Sequence, residues 1–459
     1  MTCYNYLSWR CIMELKRKIY QELCKWKNEN CGKTSLLLEG ARRVGKTHIC
    51  RQFGDKEYKS FILIDFTVAS KEIKDLIENQ VADLDLFFSR LSVYYNTPLY
   101  SRNSLIIFDE VQLFPLARQH LKALTSDGRY DYIETGSLLS IKQNVKDILI
   151  PSEEDRLEMQ PLDFEEFLWA MSDETMAPFL RECFNKTLPV GAAVHRKAMD
   201  AYRQYLLVGG MPQAVLAYLD RRDFAATDKE KKRILALYRN DIAKFAAGYE
   251  KRVIEIFDAI PEQLTKAEKK FKLSSIGKNA RQREYSDAFM WLVDAMIANH
   301  CFNSTDPNVG LALYSDRATQ KLYMADTGLL VTHTFHDKEY LDNELYRAIL
   351  FDKLHINEGM ILENAVAQAL RASGHRLYFY SRVDSESRKN NIEIDFLIIR
   401  NNKVSPIEVK SAAYRRHSSL DKFNAKFSKT IGESYVVYTK DVMVRESVTH
   451  IPVYMTMFL

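Results

Sequence analysis

The stretch GARRVGKT (Gly40–Thr47) sets two glycines with four residues between them and follows them with Lys and Thr. Before it runs SLLLEG (Ser35–Gly40), short and apolar; after it, THICRQF suits a helix. A strand that turns through a glycine loop into a helix is the context that makes this spacing a phosphate-binding loop. The glycines let the backbone of Gly40, Ala41, Arg42, Arg43, Val44 and Gly45 curl so that N–H groups point inward at an anion, and the helix adds its N-terminal dipole. Lys46 is expected to reach the β and γ phosphates of a nucleotide and Thr47 to offer its hydroxyl to Mg²⁺. The side chains of Arg42 and Arg43 are expected to face solvent.

Three more apolar runs follow: FILIDF (Phe61–Phe66), SLIIFDE (Ser104–Glu110) and YDYIETGS (Tyr130–Ser137). Continuous apolar runs suit strands covered on both faces, as in a parallel sheet. Helical stretches separate them: Ser70 can cap KEIKDLIENQ, and LARQHLKALTSDG ends at Gly128. The pattern is that of a doubly wound α/β domain. Asp109 and Glu110 fall at the end of a buried strand. Beside the loop they are expected to act together, Asp109 holding Mg²⁺ through water and Glu110 polarising the attacking water. Alone, such a pair is a solvated strand end. Thr135 and Ser137, at the end of the next strand, either sense the γ-phosphate or cap a following helix. Arg156 is a candidate for charge stabilisation; an exposed surface arginine explains it equally.

With 459 residues, the chain has room for about three domains. Its composition, 46% hydrophobic and 27% charged, excludes dominant disorder. No apolar run approaches the roughly 18 residues that span a bilayer, so no membrane is expected. The opening MTCYNYLSWRCIMELKRK lacks an apolar signal core. Seven scattered cysteines without metal spacing read as reduced thiols of a cytoplasmic protein. A net charge of +4 neither demands nor excludes nucleic acid.

From about Pro161 to His336 helical periodicity dominates, as in RQYLLVGGMPQAVLAYL. LSSIGKNARQREYSDAFMWLVDAMI reads as helix, turn, helix, with Phe289, Leu292, Val293 and Met296 on one face, similar to the helix pair of a winged-helix module. Around it cluster Lys266, Lys269, Lys270, Lys272, Lys278, Arg281 and Arg283, a phosphate-contacting patch or a solvated face. Strands return after about Phe351. In EIDFLIIR, Ile392, Ile394, Phe396 and Ile398 are expected on one side and Asp395 on the other. In PIEVKSA, Glu408 and Lys410 share a strand face, and Glu363 sits on the preceding amphipathic helix. This acid, D, E-x-K series is the pattern of restriction-type nucleases. There Asp395 and Glu408 would bind Mg²⁺ and Lys410 would orient water or stabilise charge; a hairpin salt bridge explains D-x₁₂-E-x-K equally well on its own. Tyr414-Arg415-Arg416-His417 follows and is placed to touch a nucleic-acid backbone.

Through the loop, FDEVQ (Phe108–Gln112), TGSLLS (Thr135–Ser140), MQPLDFEEFL (Met159–Leu168), LLVGGMPQAV (Leu206–Val215), KLYMADTGLL (Lys321–Leu330), LENAVAQAL (Leu362–Leu370), EIDFLI and PIEVKSA, nearly the whole chain resembles bacterial AAA-type ATPases that carry a C-terminal restriction-endonuclease-like domain. In that family a Gly often precedes the arginine at position 156, where this chain has Asp155. The family's start also looks like MELKRKIYQEL, which makes Met13 the expected initiator. The resemblance implies an AAA-type P-loop ATPase domain over 1–165, a helical lid and winged-helix-like region over 166–345, and a small α/β nuclease-like domain over 346–459. The cofactors implied are ATP and Mg²⁺. Glu110, Glu363, Asp395, Glu408 and Lys410 are the catalytic candidates. DNA, RNA or a protein partner, and a homo-oligomer, all fit.

Overall fold

The computed structural model describes residues 14–81, 83–136, 154–266, 269–277, 280–335, 358–382, 391–411 and 418–459. Met13, Ser137, Lys278 and Tyr414–His417 lie outside them.

Two sheets organise the fold. The first has five parallel strands, β1 (Ser35–Gly40), β2 (Ser60–Asp65), β3 (Ser104–Asp109), β4 (Asp131–Gly136) and β5 (Glu154–Met159), in the order β2-β3-β4-β1-β5. The strands β1, β3 and β4 are buried along their whole length, which is why they read as unbroken apolar runs. The edge strand β5, EDRLEM, keeps only Met159 buried; charged side chains suit an edge that must not pair further. Arg156 lies within this strand. Ser70 caps the helix Lys71–Gln80 by accepting from Ile73 N, and Gly128 closes the helix Leu116–Asp127 in the left-handed region at φ 72°.

A helical middle follows, running from α1 (Phe164–Ala170), α2 (Met176–Lys186) and α3 (Ala192–Val208) through α4 (Pro212–Arg221), α5 (Phe224–Phe245) and α6 (Glu250–Thr265) to α7 (Gln282–Asp294). The expected helix-turn-helix is only half present: Leu273–Ser275 makes a single 3₁₀ turn, and α7 follows. Phe289 and Leu292 are buried on α7, but Met296 lies past its end at φ 57°.

The second sheet has eight strands in the order β12-β13-β11-β10-β9-β8-β6-β7. They are β6 (Ala298–Ser304), β7 (Ser315–Met324), β8 (Leu377–Arg382), β9 (Ile392–Arg400), β10 (Lys403–Val409), β11 (Ser434–Tyr438), β12 (Met443–Arg445) and β13 (Val448–Pro452). β6 pairs in parallel with β8 through Cys301, Phe302 and Asn303. The expected boundary at 346 therefore cuts through one sheet: the β6–β7 hairpin extends the C-terminal sheet instead of standing free as a wing. Two helices join these strands, α8 (Thr327–Thr334) and α9 (Glu358–Ala372). One apolar core runs from the middle helices (Tyr205, Ile256, Trp291) into this sheet (Leu377, Phe396, Ile451).

The strand β9 departs from strict alternation. Tyr378 pairs with Leu397 and Tyr380 with Ile394, so β9 spends three residues where β8 spends two. That is a β-bulge, which re-aims side chains. Ile392, Ile394 and Leu397 pack on one face with Tyr380 and Phe423, whereas Phe396 and Ile398 belong to the core on the other. The expected single apolar side is split, and the change of face falls at Asp395.

Candidate functional site

The C-terminal ends of β1, β3 and β4 converge, the edge where open parallel sheets bind ligands. Gly40 ends β1 where a Cβ would lie 2.6 Å from the Met159 carbonyl. Gly45 takes φ 103° immediately before the helix Lys46–Glu57 begins; only glycine holds that angle without strain. Lys46 is 6% exposed, and its Nζ donates to the carbonyls of Gly40 (2.9 Å) and Ala41 (3.2 Å). Burial lowers the Lys46 pKa, opposed by Glu110 and Asp109.

The Thr47 hydroxyl lies 2.9 and 3.0 Å from the two carboxylate oxygens of Asp109. The Thr135 hydroxyl donates to the same carboxylate and accepts from Glu110 N at 3.2 Å. Burial pushes the Asp109 carboxyl up, and the two hydroxyl hydrogen bonds oppose it. Glu110 adopts a left-handed φ of 54° and receives the Gln112 side-chain amide. The structure thus brings Lys46, Thr47, Asp109, Glu110 and Thr135 into one place.

A cavity of about 420 Å³ lies over the loop, lined by Arg42, Arg43, Gly45, Lys46, Thr47 and Glu110, and by Arg17, Pro212, Gln213 and Leu216. Arg42 does not simply face solvent: its guanidinium pairs with Asp241 on α5, and Tyr238 of the same helix donates to the Arg42 carbonyl at 3.3 Å. Arg17 is buried, bonding Glu166 (3.1 Å), the Val44 carbonyl (3.2 Å) and the Gln160 carbonyl (2.6 Å). Sequence reasoning missed Arg17, Asp241 and the α4 residues; the only signal was that MELKRKIYQEL and LLVGGMPQAV carry the family resemblance. Arg156 is half exposed and reaches Glu154 at 2.9 Å, and it is not among the cavity's lining residues.

The α4 residues at the cavity are tied to the C-terminal sheet. Gly210, two residues before Pro212, donates its N–H to Asp326 at 2.5 Å and accepts from Leu162 N at 2.7 Å. Asp326 caps α8. Thr327 donates to Gln368 of α9, and Asn364, also on α9, bonds Met324 and Thr327.

On the second sheet, Glu363, Glu393 and Asp395 meet a lysine that sequence reasoning had not singled out. Lys321 Nζ lies 3.3 Å from Glu363, 3.4 Å from Glu393 and 3.6 Å from Asp395. Lys269 also pairs with Glu363, as does the Tyr323 hydroxyl. Asp395 accepts from Val409 N at 2.9 Å. Glu408 pairs with Lys410 at 2.6 Å. Burial would raise Glu363, but Lys321 and Lys269 bring it down to about 2. Burial and then Glu363 push Asp395 up to about 6. Among the described residues no group of three or more His, Cys, Asp or Glu side chains is arranged to hold a metal ion, and none of the helices is long and apolar enough to cross a membrane.

Three stretches of the chain match family models: residues 32–168 an AAA domain, residues 199–339 a domain of unknown function (DUF8612), and residues 358–456 a further domain of unknown function (DUF4143). No curated protein matches the sequence. Among solved structures the chain is similar to the Walker-type ATPase PABY2304 of Pyrococcus abyssi, at 16% identity and TM-score 0.39, over 70% of this chain and 96% of that one. It is also similar to the Aeropyrum pernix ORC1 protein solved in complex with DNA, at 12% identity and TM-score 0.27, over 71% and 94% of the two chains. Cdc6p from Pyrobaculum aerophilum matches at 12% identity and TM-score 0.26, over 76% and 98%. The glycine loop and its five-stranded parallel sheet are an AAA-type, P-loop ATPase-like domain, followed by a helical middle and a mixed C-terminal sheet.

Proposed function

We propose that the chain binds and hydrolyses ATP, and that its nucleotide cycle controls the C-terminal sheet domain. The observation that carries this reading is the Thr47–Asp109–Thr135 cluster beside Lys46 and Glu110 at one sheet edge. In this reading the N–H groups of residues 40–45 and Lys46 hold the phosphates. Thr47 and Asp109 fit a bound Mg²⁺, a hydroxyl and a carboxylate side by side, which when bound neutralises phosphate charge. Glu110, aimed by its left-handed backbone, orients the attacking water, and Thr135, bridging Asp109 and Glu110, responds to the γ-phosphate. Control runs from Pro212 and Gln213 at the cavity through Gly210 and Asp326 to α9. Lys46→Ala should abolish ATP binding, and Glu110→Gln should keep binding while stopping hydrolysis. An unchanged ATP affinity in Lys46→Ala overturns the assignment.

A second reading gives the C-terminal sheet a nuclease-like fold and Mg²⁺-dependent cleavage of DNA or RNA. It is favoured by Asp395 bonding the backbone beside Glu408 and Lys410 on adjacent strands. Cleavage by the full chain that vanishes in Asp395→Ala would support it. Intact ATPase with no cleavage of either nucleic acid leaves a nucleotide switch whose C-terminal domain binds a partner.

A further inference from the structure

The C-terminal carboxylates and the lysines among them pose a question of charge. A magnesium ion needs about six oxygen ligands at 2.0–2.1 Å and several of its own waters. Here one oxygen of Glu363 meets both Lys321 and the Tyr323 hydroxyl, and the other meets Lys269. One oxygen of Asp395 accepts from Val409 N and the other faces Lys321. Lys321 is 1% exposed, and its ammonium also lies 5.0 Å from the Phe379 ring centre. Its strand position is fixed by pairing with Cys301 across the β6–β7 hairpin, the hairpin that extends the sheet. The donor set does not fit a divalent ion: any cation bound by Asp395, whether with Glu363 or with Glu408, which already pairs with Lys410, would sit a few ångströms from a buried ammonium, where repulsion is poorly screened.

The geometry points to Lys321 as the resident cation of this cluster, its ammonium holding Glu363, Glu393 and Asp395 where a nuclease would hold a divalent metal. Carboxylate oxygens of Glu363, Glu393 and Asp395 lie 3.3, 3.4 and 3.6 Å from the Lys321 ammonium, so three acids surround one buried cation. Asp395 shares the face of Glu393, two residues before it on β9, and so meets this ammonium, and Lys269 adds a second positive charge at Glu363 from the middle region. The cluster thereby pins β7, β9 and α9 together and closes the site to Mg²⁺, which counts against the second reading, Mg²⁺-dependent cleavage. This inference is independent of the nucleotide assignment, because Lys321 and the P-loop occupy different sheets.

The test is a Mn²⁺ titration of the full chain by electron paramagnetic resonance, with ATP present. Wild type should bind one Mn²⁺ per chain, unchanged by Asp395→Asn. Lys321→Met should bind a second Mn²⁺, and adding Asp395→Asn to that variant should remove it. A second Mn²⁺ on wild type that disappears in Asp395→Asn overturns the inference. So does a folded Lys321→Met that takes no additional Mn²⁺. Should Lys321→Met fail to fold, the comparison of wild type with Asp395→Asn decides by itself. Failure of the nucleotide site would appear separately, as loss of the first Mn²⁺.

Discussion

The hydroxyl of Thr47 lies within hydrogen-bond distance of both carboxylate oxygens of Asp109, at 2.9 and 3.0 Å. The two residues are brought together from the start of a helix and the end of a strand across the sheet. Replacing Thr47 by Val keeps the shape and removes the oxygen. Mg²⁺-dependent ATP hydrolysis should then fall by about 100-fold in kcat, the scale of losing one preorganised polar group, with unfolding temperature little changed. Steady-state hydrolysis over a Mg²⁺ series checks it; full activity in Thr47→Val counts against the assignment.

Arg17 ties the glycine loop to the first helix of the middle region through Val44 and Glu166. Removing one member of a buried ion pair strands the other. Arg17→Ala should therefore destabilise the protein by about 3 kcal/mol, and Arg17→Lys should recover only part of this, because an ammonium cannot reproduce the guanidinium's fork of donors. Urea denaturation of the three proteins measures both effects.

Asp241 holds Arg42 of the loop against α5, but Arg42 is 45% exposed at its side chain. Solvent screening keeps such a pair weak, about 1 kcal/mol at most. Asp241→Ala should weaken ATP binding by no more than about 5-fold, and less at high salt. A loss as complete as that expected in Lys46→Ala would mean α5 is part of the binding machinery itself.

Glu39 precedes the loop, is 6% exposed, and has a pKa pushed up to about 7 by burial, partly offset by Arg156. The folded chain thus keeps this proton up to about pH 7, whereas the unfolded chain releases it near pH 4.5. Between those values the unfolded state binds fewer protons, so stability falls as pH rises and levels off above pH 7. Glu39→Gln should flatten that slope and stabilise the protein at pH 8 by the order of 2 kcal/mol. Denaturation at pH 5 and pH 8 tests the sign directly.

Much of the first domain was legible because its chemistry is local. Residues 35–40, 104–109 and 131–136 are buried on both faces and read as apolar runs, and the glycine spacing fixes the turn between β1 and its helix. The edge strand Glu154–Met159 was hidden by the charges that protect it. The C-terminal cluster was only half legible. Alternation places Asp395 opposite Ile392 and Ile394, but a bulge set by pairing with β8 brings Phe396 and Ile398 onto the other face from those two. Lys321 stood inside KLYMADTGLL with no local mark of its burial; only the sheet brings it to carboxylates 42 or more positions away. Arg17 was masked in the same way by the lysines beside it.

The most direct test is ATP turnover by the full chain, compared among wild type, Lys46→Ala and Glu110→Gln, with nucleotide binding measured in parallel. Wild type should bind and hydrolyse, Lys46→Ala should do neither, and Glu110→Gln should bind without hydrolysing. Hydrolysis by Lys46→Ala at the wild-type rate would contradict the proposal that this loop and its acidic pair form the chain's ATPase site.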